Sequence, residues 1–184
     1  TKTHIPLREI FKTSTFKSFF LDFEMLEHIL KTNPIDLVLC ESPTNPGLKI
    51  IDLKQVADLS HEYNALFAVD NSLATFISQR PLDLGADFSL FSTTKYISGG
   101  ATSFGGAIID HGNYDWKLNP NFSKYTEKFG RNALIAKLRK NIYRNTGGSM
   151  TPQTAKMMIQ GLDILELRVE KCYQNCMQLG AFFE

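Results

Sequence analysis

The sequence is short of cysteine, of net charge and of long apolar runs, and each shortage excludes a class of protein. The three cysteines Cys40, Cys172 and Cys176 are an odd number in a chain without a signal-like start, so we expect reduced thiols in a cytoplasmic protein rather than a disulfide framework. A formal net charge of +1 gives no electrostatic basis for binding nucleic acid or an anionic membrane. No apolar run approaches the roughly 20 residues that a membrane-spanning helix needs.

Histidine is also scarce, and what there is lies scattered. We expect no metal site, because no two of the four histidines stand at metal-ligand spacing; they are His4, His28, His61 and His111. The sequence is not short of apolar residues, which fill 43% of its 184 positions. That is enough for a sizeable core, and one domain is the default expectation.

Polar groups follow the ends of two apolar segments of strand length. Residues 65–69 stop abruptly at Asp70, and residues 88–91 stop at the Ser-Thr-Thr-Lys sequence of residues 92–95. Open α/β sheets bind their ligands beyond the carboxyl ends of buried strands. Taken singly, an Asp at a strand end is an ordinary turn former, and a Ser-Thr-Thr-Lys sequence is an ordinary solvated loop. The combination predicts a ligand site.

These residue types together suit one cofactor, pyridoxal 5'-phosphate. Lys95, in an apolar surround, is a candidate imine former, because burial disfavours the ammonium form of its amine. Ser92, Thr94 and the N–H groups of a glycine-rich turn could hold a phosphate. A carboxylate such as Asp70 could keep a ring nitrogen protonated, which makes the ring an electron sink.

Three motifs carry a family resemblance: Glu-Ser-Pro-Thr-Asn-Pro at 41–46, Val-Asp-Asn-Ser at 69–72 and Ser-Thr-Thr-Lys-Tyr at 92–96. Asn45, Asp70 and Lys95 follow one another at intervals of 25 residues. In order and spacing these motifs closely resemble the Cys/Met-metabolism family of pyridoxal-phosphate enzymes. That family includes cystathionine γ-synthases, cystathionine lyases, methionine γ-lyases and O-acetylhomoserine sulfhydrylases, and the resemblance runs from about residue 22 to the last residue.

The resemblance implies a role for each matched residue. Lys95 is the catalytic residue, which binds the cofactor aldehyde and moves protons on the substrate, and Asp70 pairs with the pyridine nitrogen. Glu41 is a conformational support. The other implied cofactor contacts are Ser92 and Thr94 at the phosphate, Asn45 at the phenolic oxygen and Ser72 beside the ring.

The predicted fold is α/β, a three-layer structure with a mostly parallel sheet flanked by helices. It resembles the large cofactor domain of the aspartate-aminotransferase-like (fold type I) enzymes. We expect residues 1–160 to be the central part of that domain without its N-terminal portion, and residues 161–184 to begin a helix toward an absent C-terminal domain. The predicted strands are 36–40, 65–69, 88–91 and an antiparallel 105–110; the predicted helices are 22–31, 52–63, 72–79, 130–144, one from 151 and one from 163.

The resemblance is more specific for family than for reaction. We favour γ-replacement of O-acetylhomoserine with sulfide or a thiol, because residues 110–144 look most like the sulfhydrylases. Methionine or cystathionine γ-lyase and cystathionine γ-synthase remain alternatives, as do a sugar aminotransferase and a non-catalytic folded module. The sequence departs from the sulfhydrylase pattern at Ala101, where a histidine is usual. The family also implies a small amino-acid substrate and a homo-oligomer, a tetramer in full-length members, and we expect 184 residues alone to be catalytically poor.

The remaining segments carry weaker predictions. Residues 1–21 look like an irregular lead-in with one short strand near 16–20, and residues 111–128 look like a mobile excursion near the active-site mouth or a plain linker. From residue 163 onward, apolar residues recur at intervals of three and four, which places Cys172 and Cys176 on a buried stripe of a long helix.

Overall fold

The computed structural model describes residues 23–184, in two compact units. One unit contains residues 23–33 and 116–149, and the other contains residues 34–115 and 150–184. The predicted lead-in and the strand near residues 16–20 lie outside the described residues. So does Asp22, the expected cap of the first helix.

The helices and strands of residues 23–115 follow the predicted order, but the helix predicted over 72–79 is limited to Thr75–Ser78. No helix of the described chain is both long and apolar enough to cross a membrane. In chain order the elements are α1 (Phe23–Thr32), β1 (Leu37–Glu41), α2 (Leu53–Glu62), β2 (Leu66–Asp70), α3 (Thr75–Ser78), β3 (Phe88–Ser92), β4 (Gly106–Asp110), α4 (Ser123–Phe129), α5 (Ala133–Lys137), α6 (Arg144–Thr146), α7 (Pro152–Leu162) and α8 (Leu165–Phe183).

The four strands form one mostly parallel sheet in the larger unit. Their order across the sheet is β1-β2-β3-β4, with β1, β2 and β3 parallel and β4 antiparallel to β3. This confirms the predicted α/β class and the predicted direction of the last strand. The central strand β2 is the most buried, because its residues Phe67 and Val69 are fully enclosed.

The crossover helix α2 begins and packs as its sequence dictates. Asp52 accepts a hydrogen bond from the Gln55 N–H at 3.0 Å, which caps the helix as predicted. Val56 and Ala57 are buried on the helix face toward the sheet. Further along the chain, Gly85 ends the 3₁₀ turn Pro81–Leu84 that precedes β3. Its φ of 99° is a left-handed conformation that glycine adopts freely.

The last two helices pack on β3 and on the turn that follows it. Phe91, Ile97, Met158 and Leu165 form one buried apolar cluster. A Cβ on Gly161 would lie 2.1 Å from the Ile97 carbonyl oxygen, so only glycine allows α7 to approach this turn so closely. Thr151 caps α7 by accepting from the Thr154 N–H, with Pro152 in its first turn, as predicted.

The smaller unit is a set of short helices around aromatic side chains. Residues 116–129 form two 3₁₀ turns and α4, which differs from the predicted excursion or linker. Trp116 and Phe122 are both buried, with ring centroids 4.3 Å apart. The helix predicted over 130–144 is present, but along its length it changes from 3₁₀ to α to π geometry and back to α. Gly147 ends it at a φ of 70°.

The prediction for Cys172 and Cys176 is wrong. Both side chains are exposed, although α8 forms as expected. Only Leu165, in the first turn of α8, is fully buried, while Met177 is 59% and Leu179 56% exposed. Among the described residues, nothing covers the apolar stripe beyond the first turns of α8. Helical periodicity alone therefore did not guarantee burial.

Candidate active site

The carboxyl ends of the three parallel strands lie side by side. The register pairs Glu41 with Asp70 and Asp70 with Leu90, two residues before Ser92. The structure therefore brings the predicted site residues on β2 and β3, and the residues that directly follow these strands, to one edge of the sheet. Ligands of parallel α/β sheets bind at this edge.

Ser72 links the ends of β2 and β3 directly. Its N–H donates to Asp70 Oδ1 at 3.0 Å, and its hydroxyl oxygen accepts from the Ser92 N–H at 2.6 Å. The second carboxylate oxygen of Asp70 and the hydroxyl of Ser92 make no hydrogen bond with any described residue. Both groups can therefore still bind a ligand.

Lys95 lies on the turn directly after β3. Its N–H donates to the Ser92 carbonyl at 3.2 Å, which sets the start of the turn. The side chain is exposed, and its ammonium has no hydrogen-bond partner in the described chain. The apolar surround expected from the sequence is thus not supplied by residues 23–184.

Thr94 makes its side-chain contacts within the protein. Its hydroxyl accepts from the Gly105 N–H at 3.0 Å and lies 3.3 Å from the Gly105 carbonyl, to which it donates. Gly105 can approach because it has no Cβ, which would lie 2.6 Å from the Thr93 hydroxyl oxygen. The one hydroxyl proton of Thr94 is therefore already engaged, and Ser92 is the better placed hydroxyl donor for a phosphate.

The loop after β1 presents Asn45. Its N–H donates to Glu41 Oε2 at 2.9 Å, so the Glu41 carboxylate supports the loop. Thr44 bonds the backbone of Lys49 and Leu48, which closes the loop on itself. The Asn45 side chain is exposed and makes no hydrogen bond with a described residue.

Sequence reasoning missed two sets of residues around this edge. A hydrogen-bond network joins the buried Ser42 and Asn71 to the half-buried Gln79. Asn71 could have been found because it lies inside the motif next to Asp70. The other is Arg168 on α8, whose Nη2 donates to the Tyr96 carbonyl at 2.7 Å and to the Gly161 carbonyl at 3.0 Å. Arg168 lies 72 residues beyond Tyr96, and no sequence pattern signals that contact.

Two further features of the described chain bear on the chemistry of this edge, the Cys40 thiol and the arrangement of possible metal ligands. Burial raises the pKa of the Cys40 thiol to about 12, so at neutral pH the sulfur is protonated and a poor nucleophile. Among residues 23–184, no three His, Cys, Asp or Glu side chains are grouped so that they could hold a metal ion.

The groups left unbonded at this edge match the chemistry of pyridoxal 5'-phosphate. The Lys95 amine suits an aldehyde, and one Asp70 oxygen suits a protonated ring nitrogen. The Ser92 hydroxyl can donate to a phosphate, and the Asn45 amide can donate to a phenolic oxygen. The donor set therefore fits the group.

Comparisons with known proteins agree with this chemistry. The family model described as Cys/Met metabolism PLP-dependent enzyme matches residues 1–184. Homocysteine synthase from Schizosaccharomyces pombe is 34% identical over 161 residues, which are 80% of this chain and 38% of that protein.

Two solved structures are similar in fold as well as sequence. O-Acetylhomoserine sulfhydrylase from Wolinella succinogenes matches with a TM-score of 0.73 and 32% identity, over 88% of this chain and 45% of that one. Apo CalE6, a methionine gamma lyase from Micromonospora echinospora, matches with a TM-score of 0.62 and 34% identity, over 79% and 35%. The chain spans between 26% and 41% of the length of the curated relatives that it matches.

Proposed function

Because this chain belongs to the Cys/Met metabolism PLP-dependent enzyme family, we propose that it forms the cofactor-binding part of an enzyme that replaces the γ-substituent of O-acetylhomoserine with sulfide or a thiol. Membership confirms the resemblance drawn from the motifs. The chain is homologous to pyridoxal-phosphate-dependent transferases and lyases of sulfur amino-acid metabolism.

The proposed division of labour carries over the roles that the family resemblance implies, and it is supported by the position of these residues at the strand ends. When bound, pyridoxal phosphate supplies an electron sink that stabilises negative charge on the substrate carbon next to the amino group. Lys95 would hold the cofactor aldehyde and then move protons on the substrate. Asp70 would accept a hydrogen bond from the protonated ring nitrogen, and a negative charge beside that nitrogen favours its protonated form.

The remaining site residues would orient the cofactor. Ser92 would donate to the phosphate, with Thr94 beside it, and Ser72 would lie next to the ring while its hydroxyl oxygen accepts from the Ser92 N–H. Asn45 would donate to the phenolic oxygen from a loop braced by Glu41. Misplacing such groups by about 1 Å costs about a hundredfold in rate, which is why the loops need support.

One observation carries the proposal: the ends of β2 and β3 are joined through Ser72 beside the turn that bears Lys95. A carboxylate, a hydroxyl and an amine are thereby placed at one edge of a parallel sheet. Each residue type has its counterpart on the cofactor.

The cofactor assignment is tested by trapping it on the full-length protein. We expect added pyridoxal phosphate to give a visible absorbance band, and borohydride followed by peptide mapping to place the label on Lys95. Lys95→Ala should lose both signals. The matched control is Lys54→Ala, which removes an exposed lysine paired with Asp58 on α2 and should leave both signals intact. A label that persists in Lys95→Ala would refute the assignment.

The reaction is tested by substrate preference. Full-length protein should convert O-acetylhomoserine with sulfide faster than it cleaves methionine or cystathionine. The match to a methionine gamma lyase structure supports the alternative γ-lyase function, as does Ala101 where a histidine is usual in sulfhydrylases. Preference for methionine or cystathionine would select that alternative. Absence of any cofactor band would instead favour a non-catalytic folded module.

We propose further that residues 1–160 belong to the large cofactor domain and residues 161–184 to a connecting helix. We also propose, as a separate point, that the working enzyme is a cytoplasmic homo-oligomer. Light scattering of the full-length protein and imaging of a tagged copy in cells test these two points. A monomer that is fully active, or a tag confined to an organelle, would contradict them.

A further inference from the structure

Gln79 ties together the two loops that follow β1 and β2. Its side-chain Nε2 donates to the Ser42 carbonyl at 2.8 Å and to Asn71 Oδ1 at 3.0 Å. The Ser42 hydroxyl lies 3.4 Å from Gln79 Oε1, and Asn71 Nδ2 donates to the Gln79 backbone carbonyl at 2.9 Å. Four hydrogen bonds therefore meet at one residue, which lies 37 positions beyond Ser42 and 8 beyond Asn71.

The two partners of Gln79 are buried, while Gln79 itself is half-buried. Ser42 and Asn71 are both 0% exposed. Asn71 is held again by its own N–H, which donates to the Leu90 carbonyl of β3 at 2.9 Å. Ser42 is held again by the Ile51 N–H, which donates to its hydroxyl at 3.3 Å. A buried polar group that loses its partner is strongly penalised, so the arrangement is specific.

Each partner of Gln79 is next to a residue of the proposed cofactor site: Asn71 to a cofactor contact, and Ser42 to the support of another contact. Ser42 follows Glu41, whose carboxylate holds the Asn45 N–H, and Asn71 follows Asp70. Asn45 and Asp70 would bind different atoms of the same ring. The separation between the two loops therefore sets how well that ring fits.

We propose that Gln79 is a positioning residue for the cofactor ring, acting through Ser42 and Asn71 on Asn45 and Asp70. The inference rests on the proposed function, and it goes beyond it by assigning a role to a residue that touches neither cofactor nor substrate. An amide is required at this position because Nε2 must donate twice while Oε1 faces a hydroxyl. Neither a carboxylate nor an apolar side chain can do both.

The test compares Gln79→Leu and Gln79→Glu with Ser78→Ala in the full-length protein. Ser78 precedes Gln79, is exposed and makes no side-chain hydrogen bond with a described residue, so it is the matched control. The readouts are the Kd of the apoprotein for pyridoxal phosphate and the pH midpoint of the visible absorbance band. The thermal midpoint of the apoprotein is measured in parallel. If Gln79 had only a structural role, its variants would have a lower thermal midpoint. At temperatures well below that midpoint, the Kd and the pH midpoint of the absorbance band would be unchanged.

We expect both Gln79 variants to raise the Kd about tenfold or more and to move the pH midpoint of the absorbance band. A tenfold higher Kd corresponds to a loss of about 1.4 kcal/mol in binding free energy. Folded variants with the wild-type Kd and midpoint would overturn the inference. If Gln79→Leu does not fold, the nearly isosteric Gln79→Glu decides by the same two readings. Wild type and Ser78→Ala without any cofactor band would overturn the proposed function itself, which is a different pattern of results.

Discussion

Two segments that carry proposed cofactor contacts are held in place by different physics. The loop after β1, which bears Asn45, and the residues that follow Asp70 at the end of β2 are joined by amide and hydroxyl hydrogen bonds. The turn after β3, which bears Lys95, is held by close packing of α7 and α8, together with one Arg168 bond to the Tyr96 carbonyl. Hydrogen bonds fix directions, and they need every partner present. Packing at a glycine fixes a distance, and it fails when one methyl group is added.

The packed side of this comparison rests on backbone contact. A Cβ on Gly161 would lie 2.1 Å from the Ile97 carbonyl and 2.6 Å from the Ser98 carbonyl carbon. Ile97 of the same turn also packs in one buried cluster with Phe91 of β3 and Met158 of α7. The turn is therefore in close contact with helices that come more than 50 residues later in the chain.

The largest effect is expected from Gly161→Ala. The added methyl group has no space, so α7 must move away from the turn, and we expect a loss of about 3 kcal/mol in the free energy of unfolding. Urea denaturation followed by circular dichroism measures it. Displacement of the turn should also slow the reaction of Lys95 with pyridoxal phosphate.

Gly180→Ala is the control for that substitution. Gly180 lies on α8, and a Cβ added there would meet nothing within 4 Å, so alanine should stabilise the helix by about 0.5 to 1 kcal/mol. Equal effects at the two glycines would mean that the contact with the Ile97 carbonyl does not constrain the turn.

The buried strands and their polar ends could be predicted from sequence because both signals are local. Residues 65–69 predict β2, and Asp70 ends it in the structure as expected. The caps at Asp52 and Thr151 were equally readable, since each cap depends on residues within one turn. Family motifs added the roles of residues that composition alone leaves ambiguous.

The rest depended on contacts between distant parts of the chain. Periodicity predicted a buried stripe on α8, yet Cys172 is exposed because burial requires a partner surface. The apolar surround predicted for Lys95 is not found among the described residues for the same reason, since a position after a strand does not reveal what covers the side chain. Gln79 and Arg168 were missed because each has a partner far along the chain, 37 and 72 residues away.

Among the hydrogen-bonded residues, Asn71→Ala should lower the free energy of unfolding by about 2 kcal/mol. The substitution leaves an N–H of the Gln79 side chain and the Gln79 backbone carbonyl without their Asn71 partners. The control is Asn113→Ala, at an exposed asparagine without a side-chain hydrogen bond to a described residue, which should stay within about 0.5 kcal/mol of wild type. An Asn71 variant as stable as the control would show that water replaces the network.

Arg168→Met should cost about 1.5 kcal/mol, since it removes charge-assisted bonds to the Tyr96 and Gly161 carbonyls while it keeps an apolar stem. Arg168→Lys is the informative companion. A single ammonium on a shorter side chain should recover only part of the loss in urea denaturation. Full recovery by lysine would mean that positive charge alone, rather than the placement of the guanidinium, holds the turn.

The smallest effect is expected for Lys54→Ala, which tests whether the buried contacts differ from ordinary surface pairing. The ammonium of Lys54 bonds the Asp58 carboxylate, but the two side chains are 61% and 62% exposed. Exposed pairs of this kind contribute about 0.5 kcal/mol or less, because water and salt screen the charges. Urea denaturation at low and high salt should therefore give nearly the wild-type stability. A loss as large as that of Asn71→Ala would mean that burial is not what distinguishes the network from the surface.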